Sequence, residues 1–338
     1  MDNNISIQQN FFSIIKRLNH PHISFVHSIS ELLGISYDSA YRRIRGDKPL
    51  VLEELMILSA HFHISIDQLL NFNFTKVHFE PISFGQTQES FLNWLDFMLK
   101  ELRLVQSSSR KDVIYSARDL PIFYYFDFPD LIAFKFFLWQ RMLVDSNTAS
   151  EPLFDASCSI KPELADIGNR ILSTYVLTPS TELWNFETFN GILHQLEYAW
   201  FSGFFMDKDS ALQLCKSLDT FFHHMQKQVS MGVKYRLGSD PSGRELNYNV
   251  YLSEIFLSDN MVLIGTDHTK CTIIAYATLN LLKTDDPSFY QLVGHSWRTL
   301  MNSATLISTT SAKERNHFFT MLHDRMLRLE DLIRQSSN

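Results

Sequence analysis

Residues 30–70 read SELLGISYDSAYRRIRGDKPLVLEELMILSAHFHISIDQLL. Within a few residues this stretch carries a helix stop, Gly34, and a helix start, Ser36. Glycine tolerates the positive φ at which helices end, and a serine oxygen accepts the orphan N–H groups of a first helical turn. Upstream, the spacing predicts a helix over 25–33, capped by Ser24, with Val26, Ile29, Leu32 and Leu33 on its buried side. Downstream, 37–45 predicts a second helix that Gly46 terminates. Two short helices joined by a tight turn around Gly34 make a helix-turn-helix.

Working outward, Ile7, Phe11, Ile14, Ile15 and Leu18 recur at spacings of three and four, the stripe of an amphipathic helix. Asn19, His20 and Pro21 end it. A further helix is expected over 50–62, with Leu52, Leu55, Met56, Leu58 and Ser59 on its inner side. A fifth, capped by Ser65, is expected over 66–70. Inside the second helix of the pair, Ala40 and Ile44 lie four apart and anchor it to the core.

Four features in order carry a resemblance: Leu33-Gly34-Ile35-Ser36 at the turn, Arg45-Gly46 at the end of the next helix, Leu52-Glu53-Glu54-Leu55 opening the fourth, and Ile64-Ser65-Ile66-Asp67-Gln68-Leu69-Leu70. Together they resemble the Cro/C1-type (XRE-like), lambda-repressor-like helix-turn-helix domain, close to its BetR-like subgroup. The resemblance implies a five-helix DNA-binding domain over 1–72 whose third helix enters the major groove of double-stranded DNA. Tyr37, Asp38, Ser39, Arg42 and Arg43 are then the base-reading candidates, because an arginine can donate two hydrogen bonds to guanine O6 and N7. His27, Ser36, Arg45 and Lys48 are the phosphate candidates. Two positions depart from the family pattern: Val26, with His27 beside it, stands where glutamine is frequent, and Ile44 where glutamate is common.

Charge constrains this reading without removing it. The chain has 338 residues and a net charge of -7. The patch that matters is local: between residues 36 and 48, Arg42, Arg43, Arg45 and Lys48 face only Asp38 and Asp47. Phosphate contact needs such a focused patch rather than a basic whole protein. No apolar run is long enough to span a bilayer, and the N-terminus lacks a basic region followed by an apolar core, so a cytoplasmic location is expected. Cys158, Cys215 and Cys271 share no CxxC spacing, which predicts reduced core thiols rather than disulfides or zinc.

Beyond residue 72 the sequence predicts a linker over 73–88 and a larger, mostly helical α+β domain over 89–338. Helices are expected over 91–102, 129–142, 161–176, 185–205, 208–230, 287–307 and 311–335, with a short strand at 113–115. Alternating β-branched and aromatic residues predict a small antiparallel meander over 246–276. The 28 phenylalanines are read as core, although the aromatic run 122–128 is also suited to lining an apolar ligand pocket.

No catalytic constellation emerges. His223-His224 are adjacent and point about 100° apart on a helix. His194 and Glu197 have the spacing of a surface pair, and Asp267, His268 and Lys270 belong to a turn. No Gly-rich phosphate loop, HExxH or GxSxG is present. The expectation is therefore a mainly α regulator, not an enzyme, with no cofactor or metal. Its DNA-binding domain is followed by one that forms a homodimer and is a candidate to sense a small molecule, peptide or protein. The alternative is a protein-interaction scaffold whose helix-turn-helix no longer binds DNA.

Overall fold

The computed structural model describes residues 7–18, 24–62, 64, 77–84, 88–143, 152–157, 160–255, 257 and 260–336. The chain divides into two compact units, Met1–His78 and Phe79–Asn338.

The first unit contains α1 (Ile7–Leu18), α2 (Phe25–Leu33), α3 (Tyr37–Arg45) and α4 (Leu52–His61). Its core joins Phe11, Phe12 and Ile15 of α1 to Ile29 of α2, Ala40 of α3 and Leu58 of α4. The fifth helix expected at 66–70 lies outside the described residues. In α4 the inward side is narrower than the spacing predicts. Leu58 and Ser59 are buried, but Leu52 and Met56 are 66% and 58% exposed. Leu50, just before the helix, enters the cluster in place of Leu52.

The second unit is built on one eight-stranded mixed sheet in the order β1-β7-β6-β5-β2-β3-β4-β8. Its strands are β1 (Glu80–Ile82), β2 (Lys111–Ser116), β3 (Ser180–Asn185), β4 (Tyr248–Ser253), β5 (Met261–Thr266), β6 (Lys270–Tyr276), β7 (Asn280–Thr284) and β8 (Thr305–Leu306). The antiparallel meander expected over 246–276 forms only in part: β5 and β6 pair antiparallel and continue into β7, but β4 is not a neighbour of β5. β4 runs parallel to β3, which runs parallel to β2, whereas β5 pairs antiparallel with the other side of β2. Parallel neighbours need long crossovers, and helices supply them. A 3-10 helix (Ile122–Asp127), α6 (Pro129–Leu143) and α7 (Pro162–Tyr175) lie between β2 and β3. α8 (Asn190–Phe201) and α9 (Lys208–Met231) lie between β3 and β4. Part of the expected linker is the edge strand β1, which pairs with β7.

Both faces of the sheet are covered. Along β2, Val113 and Tyr115 join the main core, while Ile114 joins a second cluster with Leu263, Tyr290 and Trp297. That alternation is the pleat of a strand buried on both sides. The helix over the smaller cluster is α10 (Pro287–Ser303). The main core takes in α5 (Gln88–Ser107) and α11 (Ala312–Gln335). Phe189 meets Phe222, Phe318 and Trp184 at tilted or edge-on angles. Each such buried ring contributes roughly 1.5–3 kcal/mol, so the phenylalanine-rich composition is largely a core composition. Gly168 of α7 sits against Phe126, where an added Cβ would overlap the ring.

A buried polar network crosses the middle of the sheet. Glu182 of β3 is fully buried. Its carboxylate accepts hydrogen bonds from the Tyr124, Tyr175 and Tyr248 hydroxyls and the Trp184 indole, at 2.6–3.1 Å. Lys234, also fully buried, donates to Thr178 O and Ser180 Oγ, both at 2.6 Å, and lies 3.8 Å from the centre of the Tyr175 ring. Burial pushes its ammonium down to about 7, and the Glu182 charge opposes that shift.

Candidate nucleic-acid interface

The helix-turn-helix is set by its caps. Gly34 takes the left-handed conformation (φ 61°) that ends α2, and its N–H donates to the carbonyls of Glu31 and Ser30. Ser36 then opens α3, its Oγ accepting the Ser39 N–H at 3.3 Å. Ser24 occupies the corresponding place before α2, but its side chain makes no cap bond. Gly46 closes α3 at φ 88°. Ala40 is fully buried and Ile44 half-buried, which fixes the side of α3 that faces the core.

That orientation sorts the predicted site residues. Tyr37, Asp38, Arg42 and Arg45 are exposed, and Ser39 is half-buried. Arg43, expected on the exposed side, is only 5% exposed. Its position explains the difference: it follows Ala40 by three residues and adjoins Ile44, so it lies on the core side. Its guanidinium donates to both carboxylate oxygens of Glu54, at 2.6 and 2.7 Å, and to Ser39 O at 3.2 Å. This hydrogen bonding holds the Glu54 carboxyl below the usual carboxylate range, against the opposing effect of burial. Glu54 also accepts the Val51 N–H at 3.3 Å, so one carboxylate ties α3 to the start of α4.

α1 braces the same region. The Gln8 side-chain amide donates to the carbonyls of Arg43 and Lys48, both at 2.7 Å, and its oxygen accepts the Leu50 N–H at 3.0 Å. Gln9 donates to Arg45 O at 2.9 Å. The Arg45 carbonyl is one of those that a helix end leaves without an intrahelical partner, whereas the Arg43 carbonyl also accepts the Gly46 N–H. The sequence reading missed Gln8, Gln9 and Glu54, because their partners lie on other helices. It also missed Tyr41, 46% exposed, although its place four residues after Tyr37 puts both on one face.

The outward face of α3 therefore consists of Tyr37, Asp38, Tyr41, Arg42 and Arg45, with Ser36 before it and Lys48 after it. With Arg43 paired inside, Arg42, Arg45 and Lys48 remain outside against Asp38 and Asp47. Arg45 lies 3.5 Å from Asp47 and 5.7 Å from the centre of the Tyr41 ring. Among the described residues, Arg42 has no side-chain partner. His27, exposed on α2, is 3.4 Å from Glu31.

Several polar groups of the second unit pair with one another or with the backbone. His194 and Glu197 form an exposed pair at 3.8 Å. His224 is buried against Tyr235 O at 3.1 Å. Asp219, His223 and His323 bring ligand-type atoms within 4.8 Å of one another. The His323 Nδ1 contact with Asp219 at 3.0 Å staples α11 to α9. Asp267 accepts the N–H groups of Ser109 and Arg110 in a turn. Cys215 and Cys271 are free and buried, which pushes both thiols up to about 12. Cys158 lies outside the described residues. Among the described residues no helix is long and apolar enough to cross a membrane.

Comparison of the chain with curated proteins and with solved structures finds no match. Residues 3–89 match the family model of the BetR domain, a helix-turn-helix domain of the DNA-binding type that points to a transcription regulator.

Proposed function

We propose that the chain is a sequence-specific transcription regulator of the Cro/C1 type that acts by binding rather than by catalysis. α3 enters the major groove of duplex DNA, where Tyr37, Asp38, Tyr41 and Arg42 meet base edges, with Ser39 at the margin. Arg42 reads a guanine, and His27, Ser36, Arg45 and Lys48 hold phosphates. The observation that carries this reading is the division of α3 into two faces. Arg43 is paired inside, while Arg42 is exposed and unpaired among the described residues, leaving its five donors for a ligand. The second unit dimerises the protein, so that two α3 helices engage half-sites about one helical turn apart, and senses an effector.

The test is binding of the full chain to fragments of its own upstream region, at two salt concentrations and with excess non-specific competitor. Salt-sensitive binding that survives competition supports the reading. Absence of binding at low salt by folded protein refutes it.

A protein-interaction scaffold is the second reading. It draws on the exposed apolar residues Val51, Leu52, Met56 and Ile57 at and within α4, and on the net charge of -7. The same titration separates the two.

A further inference from the structure

α9 and α11 pack against each other in the second unit, and one carboxylate on α9 gathers two imidazoles. Asp219 and His223 are four residues apart, which places them on one face of α9. His323 reaches the same carboxylate from α11, 104 residues further along the chain. Its Nδ1 lies 3.0 Å from Asp219 Oδ1, and His223 Nδ1 lies 3.5 Å from Asp219 Oδ2. The two imidazole rings are 4.2 Å apart, centre to centre. Each of the three side chains offers one ligand-type atom, all within 4.8 Å of one another.

These separations suit a particular kind of ion. Tetrahedral zinc, with ligand bonds of about 2.0–2.1 Å, sets its ligand atoms roughly 3.3–3.4 Å apart. The two imidazole–carboxylate distances fall on either side of that value. His223, whose side chain is 62% exposed, can turn to close the remaining separation. Two imidazole nitrogens and a carboxylate oxygen suit zinc and its neighbours, whereas magnesium takes an octahedron of oxygens. The His323 ring is held edge-on by Phe222, so the ligand from α11 is already oriented. Asp219 is 43% exposed, which leaves an entry path and room for water at a fourth position. Without an ion, both Nδ1 protons point at oxygens of Asp219, His223 Nδ1 lying 2.9 Å from the Asp219 carbonyl as well. An ion takes the place of those protons as each ring moves its proton from Nδ1 to Nε2. His323 Nε2 is buried and has no hydrogen-bond partner among the described residues, so no bond is given up there.

We propose that Asp219, His223 and His323 form a site for a divalent transition-metal ion of the zinc type, which clasps α9 to α11. The site is independent of the DNA-binding reading, and its test contains no DNA.

The full-length protein, stripped of metal with a chelator, is titrated with zinc chloride and, separately, with magnesium chloride by calorimetry. Saturable zinc binding in the micromolar range or tighter is expected, with magnesium far weaker. Zinc at about 100 times its Kd should raise the thermal midpoint of the second unit by about 5 °C. Asp219→Asn keeps the side-chain volume and an acceptor for His323 but replaces a charged ligand with a poor one. It should weaken zinc at least about hundredfold, since even an outer-shell partner is worth about 10- to 100-fold. His323→Ala should do the same, and Asp219→Asn keeps the test decisive if that variant fails to fold. His194→Ala, exposed on α8, should leave zinc affinity unchanged. No saturable zinc binding, equal binding of magnesium, unchanged zinc affinity in folded Asp219→Asn, or an equal loss in His194→Ala would overturn the proposal.

Discussion

Removing Glu54 should unfasten the recognition helix without touching its outward face. The side chains of Arg43 and Glu54 are 6% and 14% exposed, so water does little to screen the pair. In Glu54→Ala, Arg43 loses both bonds to the carboxylate and keeps only the 3.2 Å contact with Ser39 O. Stranding one partner of a buried ion pair costs about 3–5 kcal/mol. The exposure of Glu54 and the reach of the arginine side chain favour the low end, and the lost Val51 N–H contact adds about 0.5 kcal/mol. A net loss of about 3.5 kcal/mol corresponds to roughly 400-fold faster amide hydrogen exchange in peptides spanning 37–62, read on the full chain by mass spectrometry. Removing both partners, as in Arg43→Met with Glu54→Leu, should cost less than Glu54→Ala alone, because no charge is then left buried. If Glu54→Ala exchanges within about twofold of the native rate while Arg43→Ala loses DNA site preference, Arg43 reads bases and the two-faced account of α3 is wrong.

Other perturbations probe neighbouring links. Lys48→Ala should weaken binding to all duplexes alike and reduce the slope of log affinity against log salt by about 1, measured by titration at several ionic strengths. Glu54 ionises more readily in the folded unit than in the unfolded chain. Its contribution is therefore complete above its ordinary value of 4.5 and is lost as pH falls through the lower folded value. An acid titration of hydrogen exchange in residues 37–62 should show that loss in the native protein and not in Glu54→Gln. Gly168→Ala forces a methyl into the Phe126 ring and should destabilise the second unit by about 1–3 kcal/mol or more, seen in thermal unfolding. Glu182→Leu leaves three tyrosine hydroxyls, one indole N–H and Lys234 without their shared acceptor or counter-charge, and should cost at least about 3 kcal/mol in the same assay.

The helix-turn-helix was legible because its signals are local. Gly34, Ser36 and Gly46 act within one or two residues of where they stand, and the apolar stripes of α1 and α2 need only helical spacing. The inward place of Arg43 is contained in the same spacing, because positions 40, 43 and 44 share one face of the helix. What spacing could not show was Glu54, eleven residues on, which makes burial of that arginine tolerable. β3 was hidden for a related reason. Its sequence, STELWN, carries a carboxylate at its centre, and only partners from Tyr124 to Tyr248 explain how a central strand accommodates it. The helix expected over 185–205 accordingly begins later, at Asn190, after the strand and a turn. The run 122–128 packs mainly as core, yet Ile122 and Phe123 also line a cavity, a dual role that composition cannot separate.

The most direct test of the central claim, that the exposed face of α3 reads DNA, is selection of duplexes from a random pool by the native protein and by Arg42→Ala in parallel. The native protein should enrich one motif containing a guanine position that the variant no longer distinguishes, at a loss of about 1–3 kcal/mol for that base pair. Enrichment of the same motif with the same strength by both proteins, or of no motif by folded native protein, would contradict it.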